Sequence, residues 1–92
     1  MAVLIFAAAR TALGSFGGSL KQLTSVDLGS VVLNAVLDRS GVEPGRVAEV
    51  VLGNVLQAGS GPNVARQAAL KAGLAFGIPA MTLNQAGGSG LR

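Results

Sequence analysis

Apolar positions recur along this chain in two rhythms. Val3 to Ala8 form a continuous apolar run with β-branched members. Such a run fits a strand covered on both faces, as in parallel sheets between layers of helix. Arg10 and Thr11 open a long connection and are read as architectural. Gly14, Gly17 and Gly18 allow sharp turns there, and Phe16 is a local anchor. From Leu28 the rhythm changes. Leu28, Val31, Val32, Ala35 and Val36 fall at i, i+3, i+4, i+7 and i+8, one face of a helix. Asn34, Asp38 and Arg39 lie mainly off that stripe. Thr24 is a good N-cap, and Asp27, three residues on, complements the helix dipole. The helix is expected to run to about Ser40, with Gly41 as its stop.

Val42 to Arg46 reads as a turn, or as one helical turn opened by Pro44. Val47 to Val51 is the second strand expected. Gly53, just beyond it, permits a bend or a close backbone approach. Gln57 to Asn63 is a loop. A second helix is expected from Val64 to Ala72, with Ala65, Ala68, Ala69 and Ala72 as a narrow apolar side that lets a neighbour sit close. Gly73 ends it, Pro79 restarts the chain, and Ala80 to Leu83 form a third strand. The order β-α-β-α-β, followed by the opening of another helix, predicts an α/β fold with a largely parallel sheet. No internal repeat and no domain boundary divides residues 1–92. Arg92 does not read as a natural terminus, because the chain ends where a helix begins.

Composition narrows the function classes. The 92 residues are 50% hydrophobic and 12% charged. That is too apolar for a disordered chain, and more apolar than an isolated domain of this size, so much of its surface is expected to be covered by further protein. The net charge of +3 comes from scattered residues, among them Lys21, Arg39, Arg46, Arg66, Lys71 and Arg92. The positive charge invites a nucleic-acid reading, but the basic residues form no run and the aromatic residues are only Phe6, Phe16 and Phe76, so no nucleic-acid partner is expected. There is no cysteine and no histidine. Disulfides and thiolate metal sites are thereby excluded, and the usual general base near neutral pH is missing. Asp27, Asp38, Glu43 and Glu49 are not spaced as a metal cage. The run from Met1 to Ala9 lacks a basic leader and is far shorter than the ~20 residues of a membrane span. A cytoplasmic protein with no membrane partner is expected.

The candidate chemistry lies in Met81 to Arg92, which reads as a strand end, a Gly-rich turn and a helix opening. That arrangement holds a reactive group at a helix N-terminus, where backbone N–H groups stabilise negative charge. Taken alone, Gly87-Gly88-Ser89-Gly90 reads first as a plain turn before a helix, with an anion cradle as the alternative. Its spacing matches neither G-x-G-x-x-G nor a P-loop. Ser89 as a nucleophile would have no base within the chain. Asn54, Gln57 and Arg66 read as turn and helix-start residues, or as supports for the active-site loops or for subunit contact.

Three blocks together resemble the N-terminal region of thiolases, the acetyl-CoA C-acetyltransferases. Ala8 to Gly18 is similar to the family's ARTPIGSFGG. Gly53 to Gly59, followed by Asn63 to Ala69, is similar to GNVLQAG and NPARQAA. Asn84 to Arg92 resembles the nucleophile motif N-x-x-C-G-S-G-L-[KR]. The resemblance spans essentially the whole chain, as a partial thiolase N-terminal domain over 1–92. It implies a layered α/β/α/β/α fold, of which this segment supplies most of the first half. The chemistry implied is acyl transfer and Claisen condensation or thiolysis of acyl-CoA, with a coenzyme A thioester as substrate and no other cofactor. A cysteine takes up the acyl group, and a second cysteine and a histidine lie far downstream. Gly87 stands at the position of that first cysteine, with no side chain to carry an acyl group. By the same resemblance its backbone N–H belongs to an oxyanion hole, supported by Asn84, Gly88, Ser89 and Gly90. Two readings follow. One is the N-terminal segment of a thiolase, inactive alone and homo-oligomeric when complete. The other is a non-catalytic acyl-CoA-binding or assembly module on a thiolase scaffold.

Overall fold

A computed structural model describes residues 2–92; Met1, the first residue of the N-terminal run, lies outside them. The elements are helix α1 (Ser25–Ser40), a 3₁₀ turn (Pro44–Arg46), strand β1 (Val50–Gly53), helix α2 (Val64–Lys71), strand β2 (Ala80–Leu83) and a second 3₁₀ turn (Ser89–Leu91). β1 and β2 run parallel, with Val50 opposite Ala80 and Gly53 opposite Leu83, and α2 makes the crossover between them.

α1 begins as its sequence predicts. The Thr24 hydroxyl accepts from the Asp27 N–H at 3.1 Å, and the Asp27 carboxylate accepts from the Thr24 N–H at 2.9 Å. This reciprocal pair satisfies two donors at the helix entrance. Gly41 ends α1 at φ 69°, in the left-handed region, with its N–H on the Leu37 carbonyl. The packing face differs from the expected stripe. Val31 is 60% exposed, whereas Ser30 is buried and Leu33 and Leu37 pack on the core. A Cβ on Gly29 would lie only 3.2 Å from the Ala68 side chain and 3.3 Å from that of Leu52. The smallest residue of α1 therefore marks where α2 and the sheet come closest.

The alanine side of α2 is as expected: Ala65, Ala68 and Ala69 are buried. Val50, Ala65, Ala69, Leu74 and Ile78 form the centre of the core, with Leu52 and Val47 against it. Strand β1 starts three residues later than predicted. The Val47 N–H is taken by the Pro44 carbonyl in the 3₁₀ turn, so the ladder begins at Val50, whose N–H reaches Pro79 O at 3.0 Å.

The strand expected over Val3–Ala8 is not formed. Val3 to Phe6 are exposed and outside regular structure. Among the described residues, the one long-range hydrogen bond to this run is from the Arg39 guanidinium to Ala8 O, 2.9 Å. The α/β class with a parallel sheet holds, and the β-α-β-α-β order is corrected to α-β-α-β, with one 3₁₀ turn between α1 and β1 and the other after β2. A β-branched apolar run expresses a preference for being covered and paired, and it becomes a strand only where a neighbour supplies both. No helix among the described residues is long and apolar enough to cross a membrane.

Candidate functional site

The parallel pair β1 and β2 delivers two chain exits to one end of the sheet. Asn54 N–H continues the ladder to Leu83 O at 3.0 Å. The chain then turns at Asn84, which bridges both exits. Its Nδ2 donates to Val55 O at 3.1 Å, and its Oδ1 accepts from the Ala86 N–H at 3.0 Å. That second bond fits the usual role of asparagine in turns, where its side chain captures the backbone two residues on. Ala86 adopts φ 48°, a left-handed conformation rarely taken by a residue with a Cβ.

Ser89 closes the turn from the other side. Its hydroxyl accepts from the Gln85 N–H at 2.9 Å and donates to Ala86 O at 3.1 Å. Gly88 N–H reaches Gln85 O at 2.9 Å, and Leu91 N–H reaches Gly88 O at 3.1 Å. Gly87 is exposed at the apex and its N–H is not among these donors. A Cβ added at position 87 would meet nothing within 4 Å, and the same holds at Gly90. The five candidate residues Asn84, Gly87, Gly88, Ser89 and Gly90 thus lie in one turn. The helix opening expected here is the short 3₁₀ turn Ser89–Leu91.

The turn rests on the end of β1. A Cβ built on Gly53 would fall 2.3 Å from Ser89 Cβ, well inside contact distance. The close approach predicted for Gly53 is therefore made by Ser89. The other polar candidates lie around this end. Gln57 Nε2 donates to Asn54 O at 2.8 Å. Asn54 and Thr11 line a cleft of about 320 Å³ with Leu28, Leu52 and Val64, and the Asn54 Nδ2 is buried without a partner among the described residues. Arg66 turns away: it donates to Phe76 O at 2.8 Å and Ile78 O at 3.2 Å, and its guanidinium sits 5.9 Å from the Phe76 ring centre.

Two residues that sequence reading did not single out join α2 to the sheet. Asn63, at φ 47°, accepts from the Arg66 N–H at 3.2 Å and donates to Ala80 O at 3.0 Å. Thr82 donates to Asn63 Oδ1 and accepts from the Ala65 N–H. An asparagine directly before an apolar helical stretch is the signal for Asn63. Thr82 carries none, because its partners lie 17 and 19 residues away.

Among the described residues no three His, Cys, Asp or Glu side chains gather as a metal cage. The family model described as Thiolase, N-terminal domain, matches residues 3–92. The chain belongs to the thiolase family. It is 58% identical over 90 residues to the acetyl-CoA acetyltransferase of Cupriavidus necator, covering 98% of this chain and 23% of that protein. The corresponding enzyme of Pseudomonas aeruginosa is 57% identical over 90 residues, with the same coverage of each chain. Among solved structures, the thiolase Acat5 of Ascaris suum in complex with coenzyme A superposes with a TM-score of 0.89 at 36% identity, covering 91% of this chain and 22% of that one. The thiolase chain described here therefore spans about a quarter of the length of the curated relatives it matches.

Proposed function

We propose that this thiolase segment is the N-terminal part of an acetyl-CoA acetyltransferase in which position 87 is the acyl-accepting position, emptied of its nucleophile. The observation that carries the reading is the apex of the 84–91 turn. Position 87 projects into open space, within a turn held by four side-chain hydrogen bonds from Asn84 and Ser89. Acyl transfer there requires a thiolate to attack the thioester carbonyl carbon. The new S–C bond forms as the coenzyme A sulfur leaves and takes up a proton. Glycine provides no sulfur. Ser89 is no substitute, because its hydroxyl proton is committed to Ala86 O and the chain has no histidine to act as base.

What glycine retains is its backbone. The proposed contribution of the Gly87 N–H is to an oxyanion hole, a role that needs no side chain. In the same reading the complete protein is a cytoplasmic homo-oligomer that takes acyl-CoA as its substrate. Glycine at 87 also favours a second reading, a module that binds acyl-CoA without turning it over.

A chimera tests the first reading. Residues 3–92 replace their counterparts in the Cupriavidus necator enzyme, with Gly87 kept or changed to cysteine. The Gly87 form is expected to gain no acetyl mass from acetyl-CoA and to leave acetoacetyl-CoA intact. The Gly87→Cys form is expected to gain an acetyl group from acetyl-CoA and to cleave acetoacetyl-CoA. Turnover by the Gly87 form, or no acetyl adduct on Gly87→Cys, would overturn it. Calorimetric titration of acetyl-CoA into the Gly87 chimera addresses the second reading, which requires saturable binding.

A further inference from the structure

We infer that Gly53, at the end of β1, is a positioning residue for position 87, acting through Ser89. The inference rests on the reading of 87 as the acyl-accepting position and adds a determinant on a different element, more than thirty residues upstream in sequence.

The Ser89 hydroxyl fixes both sides of the apex, accepting from Gln85 N–H and donating to Ala86 O. Wherever Ser89 goes, the 85–88 arc follows. Ser89 in turn is seated on Gly53. A Cβ at residue 53 would lie 2.3 Å from Ser89 Cβ and 3.6 Å from Ser89 Cα. The colliding atom is next to the backbone, so no rotamer change relieves the overlap. The whole 3₁₀ turn would have to lift by roughly 1 Å to restore ordinary contact. Neighbouring bonds resist that lift, since Asn84 Nδ2 is tied to Val55 O and Asn54 N to Leu83 O, both on the strand exits. The movement would therefore concentrate at the apex. Ala86 is already in a left-handed conformation there, and Gly87 is open on its side-chain face. Gly53 itself has no positive φ. Its role is the missing side chain, not a backbone conformation.

A misplacement of about 1 Å at a reacting atom is enough to slow a positioned reaction on the order of 100-fold. The test uses the Gly87→Cys chimera as its active background. Adding Gly53→Ala is expected to lower kcat on the order of 100-fold while KM for acetyl-CoA stays within about twofold. Adding Gly77→Ala, where in contrast a Cβ meets nothing within 4 Å, is expected to leave kcat unchanged. Should Gly53→Ala fail to fold, Ser89→Ala decides. It keeps the Cβ seat on Gly53 and removes only the two hydroxyl bonds, and it is expected to lower kcat at unchanged KM. An unchanged kcat in Gly53→Ala, or in Ser89→Ala where that variant has to decide, overturns the inference. If the Gly87→Cys background itself takes up no acetyl group, the failure belongs to the functional reading and the positioning role falls with it.

Discussion

Thr82 and Asn63 are joined side chain to side chain, the threonine hydroxyl donating to Asn63 Oδ1 at 2.8 Å. Through the same oxygen Thr82 accepts from the Ala65 N–H at 2.9 Å, so one hydroxyl covers one of the unpaired donors at the start of α2 while Asn63 covers the next. Ala65 is fully buried, and its N–H has no water to turn to. Thr82→Val keeps the shape and removes both bonds. A loss of about 1–3 kcal/mol in unfolding free energy is expected, measured by urea denaturation of the Cupriavidus chimera. Thr82→Ser, which keeps the hydroxyl, should lose much less; an unchanged stability in Thr82→Val, or a larger loss in Thr82→Ser than in Thr82→Val, would contradict the assignment to the hydroxyl.

Asp27 links the two helices by ion-pairing with Lys71 while capping α1. The Lys71 ammonium, then the Thr24 backbone N–H and hydroxyl, pull its carboxyl from 3.8 down to about 2. A carboxyl lowered on folding stabilises the fold above its unfolded pKa of about 4. That stabilisation fades as pH falls through about 2. Thermal melts of wild type and Asp27→Asn should differ at pH 6 and converge between pH 4 and pH 2, roughly the interval between the two pKa values. A gap that stays constant through that interval would assign the difference to helix capping alone.

Gly29 sets how closely α1 approaches α2. Replacing it with valine forces branched carbon against Ala68 and Leu52, where even a first carbon sits at 3.2–3.3 Å. A destabilisation of about 1–3 kcal/mol is expected from overpacking. Gly29→Ala should be much milder, because its gain in helix propensity of about 1 kcal/mol opposes the tight contact. Paired denaturation curves read the two directly.

The exposed run Val3–Phe6 offers unpaired backbone and apolar side chains together. The 92-residue chain alone is expected to associate and to be poorly soluble. Val3→Lys with Ile5→Lys should raise the monomer fraction in sedimentation velocity without lowering helical ellipticity. A monodisperse wild-type chain with a cooperative melt would contradict the expectation.

What was legible in the sequence was mostly local. Thr24, Asp27 and Gly41 mark α1 because capping is decided within four residues. The alanines of α2 announce a close neighbour. The periodicity of α1 points away from its contact face because hydropathy follows large side chains, whereas the contact is chosen by small ones, Gly29 and Ser30. The Val3–Ala8 run does not form the expected strand because its pattern reports a need for cover and carries no information on where the cover comes from. At the site, the Gly-rich turn was recognisable from its motif. Its seat on Gly53 and the Thr82–Asn63 link were not, since both join residues brought together only by the parallel register of β1 and β2.

The empty space beside position 87 also has a genetic consequence. The turn's shape is dictated by Asn84, Ser89 and Gly53, none of which lies within 4 Å of a Cβ at residue 87. The codons GGC and TGC, for glycine and cysteine, differ by one base. Where Gly87 is encoded by GGC or GGT, a single nucleotide separates glycine from a thiol at the apex, while the turn around it keeps its hydrogen bonds.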